Sequence, residues 1–325
     1  MEIQEFTGRR VVIALKDLGE DPGPYCMSFG FDLKPLVRSI KECGLVNTPF
    51  VTENRDGKME VVVGYRRMMA LKSLQWEKIP CRDLSDSGLS LLECLLLNLY
   101  DNLATRELNE VEKGMVLNRL VAHLPKKKIV DHYLPLLNLP SHEPTLDIFM
   151  NLEQLEHPIK LSLSEKRISF QSVKVLMELE ADSRSVIFDW ISKIRLNSNQ
   201  QAKFIEYTMD LSIKEEKQIP ELLREKSFLD IEEDKKLNNP QKAKLLLDLL
   251  KSRRFPLLTR SEKVFQEKIS NLGLPEGIRV SHPLFFEGPD YRLEIVFKGG
   301  KELKEKINAL SQLSGLKDIC DPWQE

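Results

Sequence analysis

The sequence predicts an α+β protein made of differently patterned parts. Short apolar strands alternate with amphipathic helices over about the first hundred of its 325 residues, which is typical of a compact α/β domain. Helical periodicity then continues without strand signals, and near the end two alternating segments lie between two helices. We therefore expect an α/β domain at 1–108, an all-helical middle domain at 109–213, a linker or helical segment at 214–258 and an α-β-β-α module at 259–325.

Composition narrows the class of protein. Hydrophobic residues make up 42% and charged residues 30% of the chain, as in soluble globular proteins. The net charge of -2 excludes a uniformly basic DNA-coating protein, so any DNA contact must be local. The five cysteines are scattered without a CxxC pair, which fits a reducing cytoplasm. Neither a signal peptide nor a run of about 18 apolar residues is present, so we expect a cytoplasmic protein with no membrane contact.

The N-terminal elements follow from periodicity and turn signals. Gly44 lies just past the first amphipathic helix, and Asn54-Arg55-Asp56-Gly57 is a turn signal between two strands. The sequence predicts strands at 10–15, 49–53, 58–63 and 79–84, with helices at 33–43, 65–74 and 89–100.

The remaining elements are mostly helical. Serine hydroxyls are good helix N-caps, and three predicted helices begin at Ser169, Ser183 and Ser198. Residues 214–243 are rich in Lys and Glu and are interpreted as partly helical and linker-like. The sequence predicts helices at 110–124, 126–139, 145–156, 169–180, 183–194, 198–209, 261–272 and 300–313, with strands at 278–286 and 291–298 joined by Glu287–Asp290.

The first motif with chemical content is Gly64-Tyr65-Arg66-Arg67. A buried strand runs into glycine, which permits a close turn around a ligand, and then into a helix start, whose backbone N–H groups attract phosphate. Arginine supplies planar donor forks for phosphate oxygens. Taken alone, so short a motif is more often a surface arginine pair after an ordinary turn.

Three ordered segments change that weighting. The stretch from Leu36 to Val51 has a helix-Gly-x-x-x-Pro-strand pattern, the stretch from Val63 to Pro80 contains the arginine pair, and Asp101-Asn-Leu-Ala-Thr-Arg-Glu-Leu-Asn109 follows. Together they resemble the ParB family of partition proteins, whose elements read G-E-R-R-x-x-A and E-N-x-x-R-x-x-L-N-P. The resemblance covers about residues 10 to 110.

The resemblance implies a ParB-like domain that binds CTP with Mg²⁺, closes as a dimeric clamp on DNA and reopens on hydrolysis. Carboxylate and amide oxygens suit magnesium. The implied nucleotide-binding residues are Gly64, Tyr65, Arg66, Arg67, Asn102 and Arg106, and the implied metal ligands are Asp101 and Asn102.

The chain departs from the family pattern at several points. Tyr65 and Asp101 each replace a Glu. Thr105 stands at the motif's Arg position and Arg106 follows one residue later, which points in a different direction on a helix. Pro24 to Phe29 replace an early Q-P-R element. The sequence therefore leaves open whether the protein is a CTPase.

The middle domain is the candidate DNA-binding part. The helix from Lys128 to Leu139 and the helix from Thr145 to Glu156 fit a helix-turn-helix by position. The second helix and the residues just before it contain acidic side chains and no Lys or Arg, so a helical spacer is an equal alternative. Candidate base readers are Asn151 and Gln154, and candidate phosphate contacts are Lys126, Lys127, Lys128, Lys166 and Arg167.

Three functions remain open from the sequence. The first is a nucleotide-dependent DNA-binding or partition factor, associated with the nucleoid, dimeric through the open edge of strand 291–298 and served by a partner ATPase. The second is an enzyme on the same fold, a small-molecule kinase or nuclease, with Glu60, Glu93 or Asp101 as a possible base. The third is a regulatory adaptor that binds a protein instead of DNA.

Overall fold

The chain folds into two compact units, Met1–Ala202 and Lys203–Glu325. Each has its own hydrophobic core, and strands and helices both contribute, so the predicted α+β class is confirmed. Within the described part of the chain, no helix combines the length and apolar character needed to cross a bilayer. The computed structural model describes residues 8–18, 22–283, 286–288 and 290–319.

Four strands of the first unit form one mixed sheet in the order β1-β4-β2-β3. Strands β2 and β4 run parallel, and the other neighbours are antiparallel. The β2–β3 turn forms as predicted, since the Asn54 side chain accepts from the N–H groups of Asp56 and Lys58, both at 2.9 Å. The elements are β1 Arg9–Ala14, α1 Lys34–Cys43, β2 Phe50–Glu53, β3 Met59–Val63, α2 Tyr65–Ser73, β4 Lys78–Asp83 and α3 Leu91–Thr105.

Helices continue the chain after α3. Ser169 caps its helix as predicted, accepting from the Ser172 N–H at 3.0 Å. The predicted cap at Ser183 is wrong, because that helix begins two residues earlier, at Ala181, and its N-cap is Glu180. The helix predicted from Ser198 does begin there, but Asn197 rather than Ser198 accepts from a first-turn N–H, that of Gln200, at 3.1 Å. The helices are α4 Glu110–Val121, α5 Lys126–Lys128, α6 Leu134–Leu136, α7 Glu143–Asn151, α8 His157–Ser164, α9 Phe170–Met177, α10 Ala181–Ile194 and α11 Ser198–Lys214, with a π-turn at Ile129–Tyr133 between α5 and α6.

Helix α8 was missed by the sequence prediction. It is only eight residues long and has proline in its first turn, so its periodic signal is weak. It buries Ile159 and Leu163. The region that the sequence treats as a gap between two helices is therefore part of the packed first unit.

The second unit contains the segment predicted to be linker-like. Leu222 and Phe228 are fully buried there, and Arg253 forms ion pairs with Glu215 at 2.5 Å and Glu225 at 2.6 Å. Residues 219–254 are thus packed helices. The elements are α12 Ile219–Leu223, α13 Lys226–Glu233, α14 Asn239–Arg254, α15 Pro256–Asn271, β5 Ile278–Ser281, β6 Arg292–Ile295 and α16 Gly300–Ser311.

The predicted C-terminal order of helix, two strands and helix is observed. Strands β5 and β6 form an antiparallel two-stranded sheet in which Ile278 pairs with Ile295. Both strands are shorter than predicted. Part of the connection, including Pro289, lies outside the described residues.

A close helix contact organises the first unit around α4. A Cβ on Gly114 would lie 2.5 Å from the carbonyl oxygen of Phe149 in α7. Asn118, one turn further along α4, donates to the carbonyl of Met150 at 3.0 Å. Glycine therefore lets the backbones of α4 and α7 approach each other.

We expect Gly114→Ala to lower the free energy of unfolding by about 1–3 kcal/mol, because the added methyl group must displace backbone. Alanine ordinarily favours a helix over glycine by about 1 kcal/mol. Gly300→Ala is the matched control, since no atom of the described residues lies within 4 Å of its Cβ, and it should not destabilise. Urea denaturation followed by circular dichroism checks both, and equal stability of the two variants would contradict the packing argument.

Candidate functional site

Glycine at position 64 shapes the turn between β3 and α2. Its φ is 97° and its ψ is 24°, a left-handed conformation that favours glycine. A Cβ there would lie 3.2 Å from both Pro49 Cα and Arg67 Nη1. The turn therefore brings the start of α2, with its unpaired first-turn N–H groups, against the beginning of β2.

Arg67 projects from this helix start into a cleft. Its Nη2 atom lies 3.8 Å from Asp101 Oδ2, and both side chains are partly exposed. The cleft has a volume of about 710 Å³. Its lining comprises the polar residues Arg10, Asn47, Thr48, Arg67, Arg82, Asp101 and Thr105, and the apolar residues Val11, Val12, Val46, Phe50, Pro80 and Cys81.

Two arginines that the sequence analysis did not select face each other across strands. Arg10 in β1 and Arg82 in β4 are register partners, so their side chains lie on the same face of the sheet, where like charges repel. Arg82 also lies over the Phe50 ring at 5.8 Å. Together with Arg67 they bring three guanidinium groups to the described lining of the cleft, beside the carboxylate of Asp101, and clustered guanidinium groups attract an anion.

Arg66 points to a different place from Arg67. Its Nη2 atom lies 2.6 Å from Glu112 Oε1, and Arg106 Nη1 lies 2.5 Å from Glu112 Oε2. The Glu112 side chain is 1% exposed. It also accepts from the backbone N–H groups of Phe29 at 3.0 Å and Asn109 at 3.1 Å. We call Arg66, Arg106 and Glu112 the Glu112 cluster.

Burial and charge oppose each other at Arg106. Burial lowers the pKa of its guanidinium, and the Glu112 carboxylate acts in the other direction. Arg106 also donates to the Met27 carbonyl at 3.0 Å and to the Ser28 hydroxyl at 3.3 Å. Arg106, which the resemblance implies as a nucleotide-binding residue, is thus engaged by several partners within the protein.

The two residues implied as metal ligands do not converge. Asn102 Oδ1 accepts from Arg106 Nε at 2.8 Å, and Asn102 Nδ2 donates to Asn98 Oδ1 at 2.7 Å. Its amide oxygen is therefore engaged in the protein, whereas the Asp101 carboxylate faces the cleft. No group of three or more His, Cys, Asp or Glu side chains suited to a metal ion occurs in the described ranges. A hard cation beside Asp101 would therefore need further oxygen ligands, such as water or the oxygens of a bound ligand.

The other predicted residues of the α/β domain have structural partners. The Tyr65 ring packs edge-on to Phe31 at 6.2 Å. Of the possible bases, Glu60 accepts from Asn54 at 3.0 Å, and Glu93 accepts from Ser90 in the capping box of α3, which lowers its pKa. Neither lines the cleft, and Asp101 does.

The segment in the place of the Q-P-R element is packed inside the first unit. Asn98 donates to the Tyr25 carbonyl, and Arg119 Nε donates to the Pro24 carbonyl at 2.8 Å. A Cβ on Gly30, whose φ is 59°, would collide with Ser164 in α8. Residues 24–30 therefore connect the α/β part to α4 and α8.

Several of the candidate DNA-binding residues have acidic or polar side-chain partners. Lys126 pairs with Asp147 of α7 at 3.7 Å, and Gln154 donates to Asn151 at 3.3 Å. The exposed side of α7 carries Glu143 as well as Asp147. The other candidates lie at the surface: Lys127, Lys128, Lys166 with a φ of 58°, and Arg167, which pairs with Glu165.

Residues 30–91 match the ParB N-terminal domain. The chain is 25% identical over 173 residues to a nucleoid occlusion protein of Halalkalibacterium halodurans, covering 52% of this chain and 57% of that protein. It is 27% identical over 154 residues to that of Bacillus subtilis, covering 46% and 50%. The chain thus matches only about half the length of these relatives.

Two solved structures of C-terminally truncated chromosome-partitioning protein ParB from Caulobacter crescentus are also similar. One is complexed with CTP-γ-S, with a TM-score of 0.27 and 18% identity over 55% of this chain and 97% of that one. The other is complexed with the centromeric parS site, with a TM-score of 0.31 and 16% identity over 59% and 96%. The matched segment, residues 30–91, spans the turn at Gly64 and the arginine pair, so this part of the chain is similar to a ParB N-terminal domain.

Proposed function

We propose that the cleft binds a nucleoside triphosphate, CTP, through its phosphates. The observation that carries this proposal is the convergence of Arg10, Arg82 and Arg67 on one cleft. A polyphosphate would relieve the repulsion between the two cross-strand arginines. The first turn of α2 would add backbone donors, and the exposed Val12 and Val46 side chains offer apolar surface to a base.

Magnesium belongs to the same proposal. Asp101 would hold the ion together with phosphate oxygens of the nucleotide, because Mg²⁺ binds through one or two carboxylates plus phosphates. The bound ion would neutralise phosphate charge. Asp101 is already in place at 3.8 Å from Arg67, so the protein brings a cation and an anion to the phosphate position.

We further propose that the protein uses this nucleotide as a dimeric DNA clamp in chromosome or plasmid partition, or in a related regulatory role. The nucleoid occlusion proteins to which it is similar support this class of function. In the division of labour that we propose, 1–108 binds nucleotide, 109–213 contacts DNA through a helix-turn-helix-like unit, and 259–325 dimerises.

One observation favours a second function. The exposed face of α7 has carboxylates at Glu143 and Asp147 where a recognition helix has cations. A regulatory adaptor that binds a basic protein segment would use such a face. DNA binding would favour cations on α7, whereas binding of a basic protein would favour carboxylates. The experiments below distinguish the two functions.

We expect the two adjacent arginines to have different roles. Arg67→Ala should weaken CTP binding at least tenfold, about 1.4 kcal/mol, with little change in melting temperature, because Arg67 faces the cleft. Arg66→Ala should leave CTP affinity within about threefold but lower stability by about 1–3 kcal/mol, since it half-unpairs a buried carboxylate. Calorimetry and thermal denaturation measure the two effects.

Arg9→Ala provides the control for the loss of a surface arginine. The Arg9 side chain is 70% exposed and its partner Asp83 keeps the Ser85 N–H and hydroxyl as donors, so the loss of Arg9 should affect neither quantity much. Equal loss of CTP binding in the Arg66 and Arg67 variants would contradict the separation. No CTP-specific heat in the wild type would exclude the nucleotide proposal itself.

The lysines before α6 test DNA binding. If Lys127 or Lys128 contacts a phosphate, its replacement by Ala should reduce the slope of log affinity against log salt by about 1. Lys126→Ala should have a smaller effect, because Lys126 already has Asp147 as a partner. Fluorescence anisotropy with duplex DNA at several salt concentrations gives these slopes, and unchanged slopes in all three variants would favour the adaptor.

The C-terminal module supports the proposed dimer. Its two strands leave outer edges unpaired within the two-stranded sheet, and Leu293, Val296, Phe297 and Ile307 are about half exposed or more. We expect Val296→Lys to shift the protein toward monomer in sedimentation equilibrium, because a charge would be desolvated in the interface. Leu257→Lys, at an equally exposed site on α15, is the control, and a dimer that survives Val296→Lys would place the interface elsewhere.

A further inference from the structure

The two arginines in the first turn of α2 contact different sites. Arg67 faces the cleft, whereas the preceding residue, Arg66, reaches Glu112 at 2.6 Å. Both belong to the first turn of one helix. A movement of this turn therefore displaces both side chains together.

At the end of α3, two successive residues likewise contact different sites. Asp101 lines the cleft, and the next residue, Asn102, accepts from Arg106 at 2.8 Å. Arg106 in turn reaches Glu112 at 2.5 Å. Arg67 and Asp101, the residues of the proposed phosphate site on α2 and α3, therefore each neighbour a residue that is connected to Glu112.

That carboxylate belongs to the helical part of the first unit. Glu112 lies in the first turn of α4, where it also completes the capping box with Asn109. Further along α4, Gly114 touches the backbone of α7, and Asn118 donates to Glu153 at 2.8 Å as well as to the Met150 carbonyl. Because α4 contacts α7 directly, a movement of α4 would also displace α7.

We propose that Glu112 is a positioning residue that couples occupancy of the cleft to helices α4 and α7. This inference rests on the proposed nucleotide site. A polyphosphate competes with Asp101 for Arg67, whose contact with Asp101 is long at 3.8 Å, and draws the first turn of α2 toward the ligand. Arg66 moves with it, and because its bond to the buried Glu112 is short, α4 responds.

Hydrogen exchange of the full-length protein tests the inference in two arms. Without ligand, Glu112→Gln should speed exchange of the hydrogen-bonded amides of α2 and α4 together, by about tenfold or more, as expected when a joint local opening becomes easier. With saturating CTP, exchange should slow in α4 and α7 of the wild type but not of the variant. A merely structural carboxylate would not abolish this ligand-dependent response.

Glu110→Gln is the matched control, because it makes the same change in the same turn and no ion pair involves Glu110 among the described residues. It should behave like the wild type in both arms. Wild-type behaviour of Glu112→Gln in either arm overturns the inference.

A second variant keeps the inference testable if Glu112→Gln does not fold. Arg66→Gln leaves the Arg106–Glu112 pair intact and should retain CTP-dependent protection around Arg67 while losing it in α4. Retained protection in α4 would overturn the coupling.

Hydrogen exchange of the wild-type protein distinguishes a failure of this inference from a failure of the proposed nucleotide site. If CTP protects the region around Arg67 but not α4 or α7, the coupling alone is overturned. If neither CTP nor inorganic tripolyphosphate protects any part of the cleft, the nucleotide site is overturned as well, and the ligand-free arm still decides whether Glu112 positions α2.

Discussion

The Glu112 carboxylate is almost completely buried, yet it accepts from two guanidinium groups and two backbone N–H groups. A charge removed from water is tolerated only with such compensation. Its partners come from α2, from the residue that follows α3, and from residues 24–30. The interaction that lets the carboxylate be buried is therefore also the one that joins the α/β domain to α4.

This requirement explains why neighbouring residues of one motif separate in space. Successive residues of a helix point about 100° apart, so Arg66 and Arg67 cannot both face the cleft. Arg66 satisfies the buried carboxylate, and Arg67 remains available at the surface of the cleft. The family motif has its arginine where this chain has Thr105, one residue before Arg106. In the structure Arg106 follows the end of α3 and binds Glu112 instead of entering the cleft.

Sequence periodicity predicted most of the elements, the glycine turn at Gly64 and the helix order, since these depend on local pattern. It could not select Arg10 and Arg82, because their proximity depends on the register between two strands that are far apart in the chain. Glu112 was missed for a different reason. A glutamate at the third position of a helix is expected as a capping residue, and nothing local distinguishes one that also binds distant arginines.

The pairing of charges also bears on the proposed binding of DNA. Lys126 is partly neutralised by Asp147, and the net charge of the chain is slightly negative, so phosphate contacts from one helical domain would give limited affinity. Two such domains joined in a dimer gain effective concentration, because the second contact becomes intramolecular. A closed dimer around DNA therefore needs fewer cations in each subunit than a monomer does. The pairing of Lys126 with Asp147 is thus more compatible with the proposed nucleotide-controlled clamp than with a reader that binds through α7 alone.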